Sequence, residues 1–174
     1  MKNKNLSFMT QAAMIAAIYV VLTYIFAPFS FGEVQVRISE ALTILPIFTP
    51  AAIPGLFVGC LIGNILGGAI LPDIVFGSIA TLIGAFFTWK LREQKPVVAT
   101  FPPIISNIII VPFVLRYGYG VTLPIPFMML TVGIGEVISC TVLGLIVYGA
   151  LKKYKGTLFR TAKLYLNVLK RADI

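Results

Sequence analysis

Histidine is missing from this chain altogether, and acidic residues are nearly so: six Asp and Glu among 174 residues, against fourteen Lys and Arg. The first absence removes the commonest general base and the commonest protein metal ligand. Charged residues make up 11% of the composition, where an ordinary soluble domain carries about 25%. So little charge cannot cover a protein surface in water, and 59% of the residues are hydrophobic. The chain reads as an all-α integral membrane protein, a single membrane domain over 1–174. The two cysteines, Cys60 and Cys140, lie in apolar runs. They read as reduced packing residues, with no spacing that suggests a metal or disulfide framework. No glycine-rich stretch carries the Lys and Ser/Thr of a phosphate loop, so the chain is not expected to hydrolyse ATP or to bind a cofactor directly. An enzyme is the class the composition disfavours most.

What charge there is falls in clusters. Lys2 and Lys4, then Lys90, Arg92 and Lys95, then seven basic residues from Lys152 to Arg171 account for all but Arg37 and Arg116. That is the asymmetry of the positive-inside rule rather than a nucleic-acid footprint. It predicts cytoplasmic clusters and both termini on the cytoplasmic side. Six transmembrane helices satisfy that parity, with spans expected near 8–26, 36–48, 55–71, 74–91, 97–115 and 127–151. The second is short for a bilayer, a tilted span or a re-entrant piece. The first is expected to be retained, since it is too long for a signal peptide and lacks a small-residue cleavage site. The basic tail 152–174, with Leu158, Phe159, Leu164, Leu166 and Leu169, reads as an amphipathic helix on the anionic inner leaflet.

Two small-residue patterns mark packing faces. Gly55, Gly59, Gly63 and Gly67 recur every four residues, and Ala12/Ala16 overlaps Ala13/Ala17 on the first helix. Small residues four apart let another helix approach closely. For the alanines that helix belongs either to this protein or to a partner. Trp89 reads as an interfacial anchor, Asp73 as the N-cap of the fourth span, and the Gly- and Pro-containing loop 116–126 as a lid.

Polar groups at membrane depth are costly, about 2.5–3.5 kcal/mol for a charge at mid-bilayer on insertion scales. Arg37, Glu40, Asn64, Asn107 and Glu136 therefore stand out. They form either a buried network, with Arg37 paired to Glu136 or Glu40, or a ligand pocket using the same groups.

The string FGEVQVRISEALTILPIFTPAAIPGLFVGCLIGN, preceded by TQAAMIAAIYVVLT, closely resembles the QueT family, over nearly the whole chain to about Lys153. That family comprises membrane substrate-binding (S) components of energy-coupling factor transporters, linked to uptake of queuosine precursors. The resemblance implies a bacterial cytoplasmic-membrane protein that binds a small micronutrient near the extracytoplasmic side. It also implies a membrane scaffold (T) subunit and two ATPase subunits, which use the ATP. The alanines 12, 13, 16 and 17 match the face that S components present to the T subunit. For a 7-deazaguanine ligand, Glu40 or Glu136 suits the guanidine-like edge, Asn64, Asn107 or Gln35 the carbonyl side, and Tyr117 a stacking role. Arg37 belongs to the pocket or to a gating loop. Cobalamin is the alternative ligand, requiring a far wider mouth. A stand-alone carrier with Glu136 or Asp73 as proton relay is the competing class, though it has no need of the alanine face.

Overall fold

A computed structural model describes residues 2–26 and 36–154, and among these every regular element is helical. Helix α1 spans Lys2–Ile25, and a 3-10 helix follows over Ile38–Ile47. Then come α2, Ala52–Leu66, and α3, Leu71–Lys90. A short 3-10 turn at Val98–Thr100 leads into α4, Phe101–Tyr117. The last rod is continuous: α5 over Ile125–Glu136, a π-helical stretch over Val137–Leu143, and α6 over Gly144–Lys152.

Four of these helices are long and apolar enough to cross a membrane: Asn5–Ile25, Leu71–Lys90, Val98–Tyr117 and Ile125–Lys152. The other two of the six expected spans are shorter. Ten residues at the 3-10 rise of about 2.0 Å cover about 20 Å, and fifteen α-helical residues cover about 22 Å, against about 30 Å of hydrocarbon. The tail beyond Tyr154, and the loop 27–35 with Gln35, lie outside the described residues.

The 3-10 helix is the axis of the bundle. Every residue from Ser39 to Ile47 is buried. It starts beside Arg37 and ends with Ile47 packed near Ala99 and Leu91, at the end of α3 that carries Lys90 and Arg92. Phe48 stacks on Tyr148 of α6 at 5.3 Å, and the Thr49 hydroxyl donates to Gln11 Oε1 of α1 at 2.9 Å. Three elements bearing the basic clusters thus meet one end of the axis. At that end Arg92 lies over the Trp89 ring at 4.5 Å and donates to the Trp89 carbonyl.

From Thr49 the chain turns back, and α2 runs parallel to α1 along the glycine seam. A Cβ on Gly55 would lie 2.7 Å from the Ala12 carbonyl oxygen, one on Gly59 2.8 Å from Tyr19 Cβ, and one on Gly63 3.2 Å from Thr23 Cβ. Gly67 caps the C-terminus of α2. The alanine stripe is divided by the same contact. Ala16 is buried and Ala12 half-buried under α2, whereas Ala13 and Ala17 are exposed beside Met9, Met14, Ile18 and Val21. On the other side of the bundle, Gly84 lets α3 meet Pro103 of α4, where a Cβ would come within 2.6 Å of Pro103 Cα.

Candidate functional site

The polar residues singled out by sequence converge where the 3-10 helix, α2, α3, α4 and α5 face one another. Arg37, Glu40, Asn64, Asn107 and Glu136 are all buried, at 5, 1, 1, 4 and 3% exposure. They sort into two groups along the axis.

The outer group is built on Arg37. Its Nη2 lies 3.4 Å from Asp73 Oδ2 and its Nη1 3.4 Å from Asn64 Oδ1. Both are long against the 2.7–2.9 Å of tight charge-assisted bonds. The expected pairing of Arg37 with Glu136 or Glu40 is corrected here: among the described residues, the carboxylate within ion-pair distance of Arg37 is that of Asp73. Nor does Asp73 cap its helix. The N-cap is Ile70, Pro72 is the second helical residue, and Asp73 is the third, still within the first turn, where the helix dipole also favours a carboxylate. Proline at that position was the signal that the helix starts ahead of Asp73. The Asn64 amide donates to the Asp73 carbonyl at 3.3 Å, tying α2 to α3. Gly77, one turn further along α3, leaves room for this group: a Cβ there would lie 3.0 Å from Asp73 Oδ1 and 3.3 Å from Asn64 Nδ2.

Over this group lies the connection between α4 and α5. The Tyr119 hydroxyl donates to Asp73 Oδ2 at 3.0 Å and accepts from the Ile70 amide at 3.4 Å. Gly120 follows with φ +70°, a left-handed conformation that suits glycine. Burial, and then the Asp73 carboxylate, raise the Tyr119 phenol above its ordinary value, so it remains a donor. Tyr117, the aromatic expected to stack on a ligand, is instead 78% exposed on the outer face, stacked on Phe113.

The inner group is acidic. Glu40 Oε1 accepts from the Tyr19 hydroxyl, and the Thr81 hydroxyl lies 3.4 Å away while also reaching the Gly77 carbonyl at 3.1 Å. Glu40 Oε2 is buried and has no hydrogen-bond partner among the described residues. Glu136 Oε2 accepts from the Cys140 thiol at 3.2 Å, and the Asn107 side chain lies beside this carboxyl. Carboxylate oxygens of Glu40 and Glu136 and Cys140 Sγ all lie within 4.8 Å of one another. The three could ligate a metal ion, but the thiol as placed is a donor, and a thiolate would be needed. Both cysteines are free and buried, as expected. Their sulfurs face polar groups nonetheless, since Cys60 Sγ lies 3.4 Å from Thr81 Oγ1.

Tyr19 was not anticipated as a site residue. It lies on the stripe Ala12, Ile15, Ala16, Tyr19 and Thr23, the i, i+3, i+4, i+7 face turned to the bundle, and that periodicity could have found it. Its neighbour Thr23 donates to Ser39 Oγ at 2.8 Å, fixing α1 to the start of the axis. The π-helical stretch that begins right after Glu136 is a second local signature, since π turns concentrate at functional sites.

No solved structure matches the chain. Among curated proteins, the queuosine precursor transporter QueT of Lactococcus lactis subsp. cremoris (strain MG1363) is 33% identical over 84 residues. That alignment covers 47% of this chain and 48%, about half, of the relative. The family model described as QueT transporter matches residues 9–153, which takes in every residue of both polar groups, and the chain belongs to that transporter family.

Proposed function

We propose that this protein is the substrate-binding (S) component of an energy-coupling factor transporter, taking up a 7-deazaguanine precursor of queuosine. The observation that carries the reading is the buried pair Glu40 and Glu136, with Asn107 on the second carboxyl and Asn64 above. A flat base with in-line N–H donors beside a carbonyl is complementary to a carboxylate with a carboxamide at its side. A site built from such hydrogen bonds rejects analogues that lack them by large factors. Family membership supports the transport class, and the relative's name supports the ligand. In this reading the basic end faces the cytoplasm, and ligand enters at the Asp73 end once Tyr119 lets go. Ala13 and Ala17 meet the scaffold subunit, and partner ATPases supply the energy.

Calorimetry on the purified chain in mild detergent tests the ligand. A 7-deazaguanine is expected to bind and cobalamin not to; binding of cobalamin alone would overturn the assignment. Co-purification of ATPase subunits with the tagged chain from its native membrane tests the class, and uptake by the chain without them would favour a stand-alone carrier.

A further inference from the structure

The outer side of the α3–α4 pair is grooved. The two helices meet closely at Gly84 and Pro103. Away from that contact, large apolar side chains stand exposed along both: Phe76, Ile83 and Phe87 on α3, and Ile105, Ile109 and Phe113 on α4. These line two hollows of about 470 and about 540 Å³, which share Ile109 and Ile110 and so form one channel along the pair. The channel runs from Pro72 to Lys90, eighteen residues along α3. That is about 27 Å, against a hydrocarbon core of about 30 Å.

One end of the channel is cationic. Lys90 lines it there, with its ammonium 5.0 Å from the ring centre of Phe86 and 6.0 Å from that of Phe87. The ring faces hold the cation at the rim and leave its charge uncancelled. Arg92 and Lys95 follow in sequence. Among the described residues no carboxylate lies within ion-pair distance of Lys90, and the acid of this turn, Glu93, lies 3.9 Å from Arg92. The lining at the other end, with Pro72, Tyr117 and Gly118, includes no charged residue.

A long apolar channel with one cation at its end matches an acyl chain that ends in a phosphate. Apolar contact alone does not select one lipid from another, since the surrounding chains are as apolar as the protein. The charge does, because basic groups between helices at a membrane surface attract acidic headgroups. We propose that this channel is a binding site for one anionic phospholipid, with an acyl chain along Phe87, Ile105 and Ile109 and the phosphate against Lys90. A groove between two packed neighbours admits a chain of methylenes more readily than a partner helix about 10–12 Å across. The inference is independent of which solute the protein carries.

The test is native mass spectrometry of the full chain in mild detergent, with dioleoyl phosphatidylglycerol and dioleoyl phosphatidylcholine as competing probes. The wild type should retain one phosphatidylglycerol at least about fivefold more tightly than phosphatidylcholine, about the effect of one basic residue meeting acidic lipid. Lys90→Gln should erase that preference. Ile109→Trp, which fills the channel and leaves the charge in place, should weaken both lipids. Lys153→Gln removes a cation outside the channel and should change neither. All three positions are exposed, so each variant is expected to fold, as thermal melts will show. Equal retention of the two lipids by the wild type would overturn the inference. So would equal losses in Lys90→Gln and Lys153→Gln, which would show only a general attraction of the basic end for acidic lipid. Undiminished phosphatidylglycerol on Ile109→Trp would place the lipid outside the channel. A polypeptide retained from the native membrane in place of lipid, and lost in Ile109→Trp, would mean that a partner helix covers this face instead.

Discussion

Asp73 receives donors from two directions, the Arg37 guanidinium and the Tyr119 hydroxyl, and the two contacts call for different experiments. Removing one member of a buried ion pair leaves the other uncompensated, at about 3–5 kcal/mol. Arg37→Gln is therefore expected to lower the melting temperature sharply in detergent, and Arg37→Gln with Asp73→Asn to recover most of the loss. A double variant as unstable as the single one would show that Arg37 is held by something other than Asp73. For Tyr119 the sign follows from its raised value. The unfolded chain ionises first, near the ordinary phenol value of about 10, so this contact stabilises below that pH and is lost as pH rises through the higher folded value. Thermal melts from pH 8 to 11 should fall more steeply for the wild type than for Tyr119→Phe; parallel curves would remove Tyr119 from the alkaline transition. At this scale the sequence was informative about which residues are buried and silent about their partners. Arg37, Glu40, Asn64, Asn107 and Glu136 stand out because charge and amide are rare in an apolar chain. Asp73 looked like a cap because pairing depends on how the 3-10 helix is seated, which no local pattern encodes.

Elements carry the next set of consequences. The seam between α1 and α2 has no space for a side chain at Gly59, where a Cβ already meets Tyr19 and the Ala16 backbone. Gly59→Leu should destabilise by at least the 1–3 kcal/mol typical of overpacking, roughly, while Gly67→Ala at the helix end should be nearly neutral, both read by thermal melts. The alanine stripe divides in the same way. Ala13→Trp and Ala17→Trp, on the exposed face, are expected to abolish uptake in cells while ligand affinity measured by calorimetry stays within about threefold. Ala16→Trp, wedged against α2, should lose stability instead. Normal uptake in both exposed variants would mean that the scaffold subunit docks elsewhere. The glycine and alanine spacings were visible in sequence because close approach demands small residues at fixed intervals. The second span was legible as too short, but its 3-10 winding was not. That winding comes from burial on every side, which lets a tighter coil thread the centre of the bundle.

At the scale of the whole molecule, the sequence conveyed class better than contour. Hydrophobic content, clustered lysines and arginines, and six apolar segments define a helical membrane protein. The structure adds that two of those segments are short, one of them the buried axis of the bundle. Orientation can be tested directly. With Cys60 and Cys140 buried, single cysteines introduced as Gly120→Cys and Glu93→Cys report the two ends separately. A membrane-impermeant maleimide applied to intact cells should label the first and spare the second until the membrane is opened. The reverse pattern would invert the topology and place the Tyr119 latch inside the cell.

The chain's single tryptophan, Trp89, sits at the basic end under Arg92, sixteen residues along α3 from Asp73 and so about 24 Å away. Its fluorescence is an optical channel decoupled from the site. Ligand arrival should leave the indole emission nearly unchanged, while contact of a partner with the basic end should shift it. Tyr19 and Tyr119, one in each polar group, supply the complementary ultraviolet signal. One unlabelled preparation can therefore time loading and docking as separate events.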